Sequence, residues 1–481
     1  MTRPNILWIC SDQQRFDTLG CSGNPWVRTP HLDQLAAGGT LLQNAFCQNP
    51  LCTPSRASFL TGRYPRITRA RQNGQRISDH EILVTRLFRD AGYACGLSGK
   101  LHLSACDPTV TPLREKRIDD GYEEFHWSHH PDEDWPEADY NHWLRENGLE
   151  YGRQPFPGSA YVQTSMDAEH HQTTWCADWA IDFMERKAGS RTPWLFSVNM
   201  FDPHHPFDPP AAFLERYLER LEEIPLPNYV EGELDTKPVF QRIDHSGAYG
   251  GQTGLYPFDR MTATDHRLIK AAYWSMCDLI DVQVGRMLEA LERTGQRENT
   301  LVVYMSDHGE LLGDHGIYLK GPHFYEPAIR VPLILSWPEV IESQTSGSLI
   351  ELVDLAPTLL TAAGLPVHPG MQGKSFWSTL TGGDVSARRH KTVYCEHYGT
   401  TQHTPESESA YATMLRTERY KLVVFHGHEE GELYDLEEDP SETRNLWAEM
   451  RVREVRCDLM QQLCDRMAWT VDPLPQRAGR Y

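Results

Sequence analysis

The chain has 481 residues and a mass of 55.1 kDa, which suits one large α/β domain followed by a smaller one. Its 67 acidic residues outnumber its 46 basic residues, and the formal net charge is −21. This balance argues against broad binding to nucleic acid or to anionic membranes. An anionic substrate would therefore need a local cationic pocket.

The N-terminus predicts a soluble, cytoplasmic protein without a membrane partner. Met1 to Asn5 leads directly into an apolar strand, with no apolar region of signal-peptide length. No later segment reaches the roughly 18 apolar residues that a membrane span needs. The 11 cysteines are scattered and odd in number, so we expect mostly free thiols in a reducing compartment.

Helix and strand patterns alternate along the first part of the chain. The predicted strands are 5–10, 40–46, 93–97, 193–199, 300–305 and 331–337. The predicted helices are 30–37, 79–91, 171–187 and 265–293. Segments 120–165 and 206–262 lack periodicity and are predicted to be irregular. This rhythm predicts a doubly wound, mostly parallel sheet with functional groups at the carboxyl ends of its strands.

The pattern changes after about residue 380. Strands at 392–396, 411–416, 420–425 and 432–436 have hairpin spacing and are followed by a helix at 452–467. We predict a small antiparallel sheet with one helix. The predicted domains are therefore 1–380 and 381–481.

The segment from Pro50 to Gly62 places Cys52 at the start of a predicted helix. Pro54 suits the first turn of a helix, and Gly62 suits the position after its end. The helix N-terminus and Arg56 would both favour a bound anion. Taken alone, Cys52 has two other interpretations, a small buried apolar residue or a thiolate nucleophile, and composition alone favours the ordinary structural one.

Three further residues can meet Cys52 at the strand ends. Asp12 follows the first predicted strand, and Asp307 and His308 follow the strand at 300–305. Individually, each has an ordinary structural role as a helix cap or a hydrogen-bonded residue. Together, the four residues predict a site for one divalent cation.

The string Cys52-Thr53-Pro54-Ser55-Arg56, followed by Leu60-Thr61-Gly62-Arg63, resembles the signature of the type I sulfatases. The resemblance implies the alkaline-phosphatase-like α/β fold and hydrolysis of sulfuric esters. In that family a formylglycine-generating or sulfatase-maturing enzyme oxidises the cysteine, here Cys52, to formylglycine. The resemblance covers the segments 4–12, 29–63, 98–102, 203–207, 304–337 and 432–446.

The resemblance also implies a metal site formed by Asp12, Asp307, His308 and the modified Cys52. Many sulfatases have a second acidic residue after the first strand, whereas this chain has Gln13, whose role as a ligand is left open. This departure resembles the choline sulfatases and the phosphonate monoester hydrolases and phosphodiesterases of the alkaline phosphatase superfamily. Ca²⁺ is the expected ion and Mn²⁺ the alternative.

Five other residues match substrate or catalytic positions of the family. Gly99-Lys100-Leu101-His102 resembles the sulfatase Gly-Lys-x-His element, and His204 resembles the histidine that protonates the leaving group. Lys320 resembles the late lysine that binds the sulfate, and its alternative, without the resemblance, is a solvated loop lysine. Asn73 resembles an active-site asparagine of the phosphonate hydrolases.

The resemblance implies a mechanism in which hydrated formylglycine attacks sulfur. Arg56, Lys100, Lys320 and the cation would neutralise charge on the sulfate oxygens. His204 would act as the general acid, and His102 as the base that releases sulfate from the covalent intermediate.

We therefore expect a sulfatase that acts on a small anionic sulfate ester. Lys100 and His102 favour this reading over a phosphonate monoester hydrolase or phosphodiesterase, a branch that lacks the pair. A non-catalytic metal-binding protein is the alternative of another class. A homo-oligomer is left open.

Overall fold

The computed structural model describes residues 3–133, 135–250, 254–383, 390–399 and 410–476. The strands are β1 (Asn5–Ser11), β2 (Thr40–Phe46), β3 (Ala94–Gly99), β4 (Glu124–Trp127), β5 (Gln154–Pro155), β6 (Gln163–Thr164), β7 (Trp194–Asn199), β8 (Thr300–Ser306), β9 (Arg330–Val331), β10 (Leu333–Ser336), β11 (Gln344–Glu351), β12 (Val393–Tyr398), β13 (Tyr411–Arg416), β14 (Tyr420–Phe425) and β15 (Gly431–Asp435).

The helices are α1 (Pro30–Ala37), α2 (Cys52–Thr61), α3 (Pro65–Thr68), α4 (Val84–Asp90), α5 (Asp139–Glu146), α6 (Gln172–Lys187), α7 (Ala211–Leu218), α8 (Val239–His245), α9 (Ala263–Arg293), α10 (Glu326–Ile329), α11 (Leu355–Ala362), α12 (Trp377–Leu380) and α13 (Arg453–Trp469). No helix in the described part of the chain is both long and apolar enough to cross a membrane.

Nine strands of the described chain form the main sheet. Their order is β11-β2-β10-β8-β1-β7-β3-β4, with β9 also paired to β2. The central strand β1 runs parallel to β7 and β8, and β3 runs parallel to β7 and β4. Only β9 and β10 pair in the antiparallel sense within this sheet as described. The predicted α/β fold with a mostly parallel sheet is confirmed.

Helices cover both faces of the main sheet, which explains why its central strands are continuous apolar runs. Alternate residues of β1 belong to opposite cores, with Ile6 on one face and Leu7 on the other. The long helix α9 packs Ile280 and Val284 against the Leu7 face. A capping box formed by Thr262 and Asp265 fixes its N-terminus.

Five neighbouring strands of the main sheet end at one edge. In the pairing register, Ser11 of β1 lies beside Ser306 of β8, and Asn199 of β7 lies beside Gly99 of β3. Trp127, the last residue of β4, pairs with Gly99. The residues that follow these strands are therefore brought together, as expected for ligand sites in parallel α/β sheets.

The second sheet has the order β12-β13-β14-β15 and is antiparallel throughout, as predicted. Helix α13 packs Leu459 and Leu463 against Leu415 and Leu422 of this sheet. Buried ion pairs connect the sheet to the first part of the chain, including Glu326 with Lys421 at 2.9 Å. The division into domains 1–380 and 381–481 stays a prediction.

The strand predicted at 331–337 is present but is divided in two. The segment forms the short β9 and then β10, which pairs antiparallel with β8. Pro332 separates them because proline has no N–H to donate to a ladder. The polar edge strand β11 was missed because its first residues, from Gln344 to Ser348, are mostly hydrophilic.

Other boundaries also differ from the predictions. The helix expected at 79–91 covers only Val84–Asp90, since residues before Leu83 form a turn in which Glu81 N donates to Ser78 O at 3.0 Å. The segment 120–165 contains the edge strand β4, the helix α5 and the β5–β6 pair. The segment 206–262 contains α7 and α8. These elements are short, so their periodicity is weak.

Candidate active site and metal centre

Helix α2 presents Cys52 at the carboxyl edge of the main sheet. Cys52 is the first helical residue, and every residue of α2 is buried. Gly62 ends the helix in the left-handed region, with φ of 67°, and its N–H donates to Ser58 O at 2.9 Å. Asn73 accepts a hydrogen bond from Thr53 N at 3.0 Å, so it satisfies one of the unpaired N–H groups at the start of the helix.

The four predicted metal ligands converge. Ligand atoms of Asp12, Cys52, Asp307 and His308 all lie within 4.8 Å of one another, and all four residues are buried. Cys52 Sγ is 3.1 Å from His308 Nε2 and 3.6 Å from Asp12 Oδ1. Two carboxylates with an imidazole and a ligand at position 52 are a donor set that suits a divalent cation. The residues therefore fit the ion that the sequence predicts.

Arg56 binds the two carboxylates of this cluster. Its Nε donates to Asp307 Oδ2 at 2.8 Å, and its Nη2 donates to Asp12 Oδ2 at 3.3 Å. Its Nη1 donates to the carbonyl oxygen of Lys100 at 2.9 Å. Because the side chain is buried and its three nitrogens are occupied, Arg56 positions the carboxylates. The sequence had suggested a direct contact with the sulfate oxygens instead.

Lys320 lies directly beside Cys52. Its Nζ is 3.0 Å from Cys52 Sγ, 3.4 Å from His308 Nε2 and 2.5 Å from Gln13 Oε1. Gln13 also donates through Nε2 to the carboxylate of Glu310. The amide oxygen of Gln13 therefore contacts Lys320, and the Gln13 N–H donates to Asp307 Oδ1 at 3.0 Å, so the residue lies beside the four-residue cluster.

Lys100 brings a second ammonium group to the same place. It follows β3, and its backbone N–H donates to Asn199 O at 2.9 Å. Its Nζ donates to the Asp12 carboxylate and lies 5.3 Å from the centre of the Phe201 ring. Lys100 is 1% exposed, so its charge is shielded from bulk water.

His102 is held in a strained backbone conformation with φ of 57°. The buried Glu115 carboxylate fixes this turn because it accepts from the N–H groups of His102 and Leu103, at 2.9 and 3.0 Å. Burial, followed by the positive charge of Lys100, lowers the pKa of His102 well below its ordinary value. The ring is therefore neutral and able to accept a proton.

His204 is oriented by its neighbour. His204 Nδ1 is 2.5 Å from the carbonyl oxygen of His205 and, because a carbonyl oxygen only accepts, Nδ1 carries the proton. The two imidazole rings stack with centroids 4.1 Å apart. Burial and the charge of Lys320 hold the pKa of His204 well below its ordinary value. A bound anion would offset this effect and favour the protonated ring.

The electrostatics around Cys52 favour an anion. Burial and Asp12 alone would raise the pKa of the Cys52 thiol, but Lys100, Lys320 and His308 outweigh them and lower it to about 5. This acidic protein therefore has the local cationic pocket that its composition required for an anionic substrate.

Several site residues had not been singled out from the sequence. Glu310 binds Gln13, and Glu115 anchors the turn at His102. His129 and His130 follow β4, and the His130 ring centroid is 5.7 Å from that of His204. A strand prediction at 124–127 would have placed both histidines at the functional edge of the sheet.

Comparisons with known proteins agree with this geometry. The family model described as Sulfatase matches residues 4–365, and the model described as N-sulphoglucosamine sulphohydrolase, C-terminal, matches residues 313–468. The chain is 30% identical to the uncharacterized sulfatase YidJ of Escherichia coli (strain K12), over 98% of this chain and 89% of that protein.

Two further proteins are similar over most of their length. A choline-sulfatase of Rhizobium meliloti (strain 1021) is 28% identical, over 92% of this chain and 82% of that protein. The structure of the phosphonate monoester hydrolase SpPMH from Silicibacter pomeroyi superposes with a TM-score of 0.83 at 24% identity, covering 98% and 96% of the two chains. The chain belongs to the sulfatase family.

Proposed function

We propose that this chain hydrolyses a sulfate monoester, using a formylglycine derived from Cys52 and one divalent cation, Ca²⁺ in preference to Mn²⁺. The observation that carries the proposal is the position of the Cys52 side chain. It lies 3.0 Å from the ammonium of Lys320 and within one cluster with Asp12, Asp307 and His308. An oxygen nucleophile at residue 52 and a tetrahedral anion would both be surrounded by positive charge there.

The modification has to precede folding. Cys52 is 1% exposed, and the helix that contains it is buried throughout. A maturing enzyme that reads Cys52-Thr53-Pro54-Ser55-Arg56 therefore needs the unfolded segment. When hydrated, the formylglycine would supply a nucleophilic oxygen and a second hydroxyl for release of sulfate by C–O cleavage.

The cation would be held by the Asp12 and Asp307 carboxylates, His308 and residue 52, and would supply Lewis acidity when bound. Arg56 keeps the two carboxylates in place. Lys100 and Lys320 bind the outer oxygens of the sulfate group and stabilise the charge that develops on them.

His204 donates a proton in the first half of the reaction, and His102 accepts one in the second half. The proton on His204 Nδ1 is used by His205 O, so the proton for the departing alkoxide comes from Nε2 of the doubly protonated ring. His102, kept neutral by burial and by Lys100, accepts the proton in the second half of the reaction. Asn73 contacts the start of α2 and is itself exposed, and we assign it to substrate binding.

A phosphonate monoester hydrolase or phosphodiesterase is the second candidate, because the similar structure from Silicibacter pomeroyi bears that name. Lys100 favours the sulfate ester. A sulfate monoester offers three non-bridging oxygens, whereas a diester or phosphonate monoester replaces one of them with a substituent that needs space. A buried ammonium bound to Asp12 matches an oxygen at that corner better than a carbon group. The intact cysteine motif disfavours a non-catalytic role.

Mass spectrometry of the Cys52 peptide, combined with turnover of an aryl sulfate, tests this proposal. Protein co-expressed with a maturing enzyme should contain formylglycine at residue 52 and be active. Cys52→Ala should be folded and inactive, whereas the control Cys277→Ala, at a buried thiol in α9, should keep activity. Full activity from protein with only an unmodified Cys52 thiol would refute the mechanism.

A further inference from the structure

A second cluster of metal-ligating side chains lies beside the candidate base. His102, Cys106 and His129 each offer one ligand atom, and these atoms lie within 4.8 Å of one another. The imidazole rings of His102 and His129 meet edge to face with centroids 4.6 Å apart. The cluster shares none of its residues with the Asp12 and Asp307 site, and its donors are softer because it contains no carboxylate.

Three of the four imidazole nitrogens in this cluster are buried without a hydrogen-bond partner among the described residues. His129 is 3% exposed, and neither its Nδ1 nor its Nε2 has a hydrogen-bond partner among the described residues. His102 Nδ1 is buried without a partner in the same part of the chain. A buried polar atom without a hydrogen bond is unfavourable and calls for an explanation, of which an ion is one.

Hydrogen bonds to Glu115, which is not a member of the cluster, hold the backbone around His102 and His129 in place. Glu115 accepts from the backbone N–H groups of His102 and Leu103 and from Trp127 Nε1 at 2.7 Å. These contacts hold the turn of His102 against the end of β4, from which His129 follows. The Cys106 side chain packs against the cluster of Trp127 and Trp135, and its Sγ has one weak hydrogen bond, to the Ser104 carbonyl oxygen at 3.6 Å, which a metal would replace.

We propose that His102, Cys106 and His129 form a second metal site that takes a borderline-soft cation of the Zn²⁺ type. One thiolate and two imidazoles leave the fourth tetrahedral position for water. The Cys106 thiol releases its proton to solvent when it ligates the ion, and nothing is oxidised or reduced. Ca²⁺, which requires oxygen ligands, is excluded by this donor set.

Occupancy of this site would switch the enzyme off. A neutral imidazole has one nitrogen without a proton, and a metal bound there leaves His102 with no lone pair to accept a proton. Zn²⁺ would therefore inhibit turnover reversibly without displacing the ion at Asp12 and Asp307. The inhibition rests on the proposed role of His102, whereas the binding does not.

Binding is tested with Co²⁺ as the probe in Ca²⁺-loaded Cys52→Ala protein, which lacks the thiol of the Asp12 and Asp307 site. A thiolate-to-cobalt charge-transfer band in the near ultraviolet is expected. It should disappear with Cys106→Ser and persist with the control Cys21→Ser, a free and half-buried thiol elsewhere. No band in the Cys52→Ala protein, or a band that survives Cys106→Ser, would overturn the proposal.

Inhibition is tested with Zn²⁺ on the mature, Ca²⁺-loaded enzyme. Cys106→Ser should keep the basal rate and need at least about tenfold more Zn²⁺ for half inhibition, because it lacks one ligand. His129→Gln should also raise the Zn²⁺ concentration needed for half inhibition. This second variant provides the measurement if Cys106→Ser folds poorly. Equal inhibition of wild type and both variants would show that Zn²⁺ acts at the Asp12 and Asp307 site and would contradict the proposed switch.

Discussion

Arg56 donates to Asp307 through Nε over 2.8 Å, and the side chains of both residues are almost completely buried. The same guanidinium reaches Asp12 at 3.3 Å. The protein therefore holds two carboxylates close together in its interior by neutralising them with a fixed, permanently charged group. This arrangement keeps the metal ligands in position before the ion binds.

Arg56→Lys should destabilise the fold and weaken metal binding. An ammonium cannot reproduce the three directed contacts of the guanidinium, and a broken buried ion pair costs about 3–5 kcal/mol. Denaturant unfolding should show a loss of this order, and elemental analysis should show less bound ion. The partly exposed Arg89, at the surface of α4, gives a control, because Arg89→Lys should leave both the free energy of unfolding and the metal content nearly unchanged. Wild-type stability and metal content in Arg56→Lys would show that the contact with Asp307 is dispensable.

Asp307→Asn should remove most of the bound ion and most of the activity, since a neutral amide supplies neither the charge nor the second oxygen of a carboxylate. Metal content after dialysis, measured by elemental analysis, checks this. Asp202→Asn is the matched control, because Asp202 is also a buried carboxylate near a strand end but bonds Thr173 at 2.7 Å and is not in the ligand cluster. Retention of stoichiometric metal by Asp307→Asn would exclude Asp307 from the metal site.

His102→Ala should slow the second half of the reaction more than the first. The leaving alcohol departs before His102 is needed, so rapid-mixing kinetics should show an initial burst followed by slow turnover. His80→Ala, at an exposed histidine, should show the kinetics of the wild type. A uniform loss of rate without a burst would assign His102 to the first step or to structure alone.

Because of His390, the free energy of unfolding should decrease as the pH becomes alkaline. Its Nε2 lies 2.8 Å from Asp354 Oδ2 and 3.7 Å from Glu351 Oε2. Burial alone would lower the pKa of His390, but Asp354 and Glu351 outweigh it and raise the pKa to about 9. The folded pKa exceeds the unfolded value of about 6.5, so the stabilisation is complete below about pH 6.5 and is lost as pH rises through about 9.

The corresponding experiment compares the free energy of unfolding of wild type and His390→Gln from pH 6 to 10. The free energy of unfolding of the wild type should exceed that of His390→Gln by about 3 kcal/mol at pH 6, and this excess should decrease toward pH 10. The variant His80→Gln should have the same free energy of unfolding as the wild type at every pH. A difference that does not change with pH would mean that His390 stabilises the fold by packing and not by its charge.

The sequence predicted the metal cluster because Asp12 and Asp307 follow strands that pair in register at the centre of a parallel sheet. It did not predict the contacts of Arg56, since a motif gives the presence of a charge and not its partner. His129 was missed because β4 has only four residues, too few for their alternation to identify a strand. The antiparallel direction of the segment 331–337 was not predicted because apolar content identifies a buried strand but does not distinguish parallel from antiparallel pairing.

The choice between a sulfate ester and a phosphonate or phosphodiester substrate depends on Lys100. Lys100→Ala should lower kcat/KM for a sulfate monoester by about 10²-fold, as expected for a lost contact with transition-state charge. Hydrolysis of phosphonate monoesters and phosphodiesters should fall less, because their carbon substituent does not use the ammonium. Lys391→Ala, at a lysine beside the second sheet, should change neither kcat/KM for the sulfate monoester nor hydrolysis of the phosphonate monoesters and phosphodiesters.

The most direct measurement is a comparison of kcat/KM on matched aryl sulfates, phosphonate monoesters and phosphodiesters, using enzyme whose formylglycine content at residue 52 has been determined. We predict that the wild type has its highest kcat/KM on the sulfate monoester. Lys100→Ala should reduce the ratio of this kcat/KM to those for the phosphonate monoester and the phosphodiester. A wild-type preference for phosphonate monoesters, together with an equal loss of all activities in Lys100→Ala, would contradict these predictions.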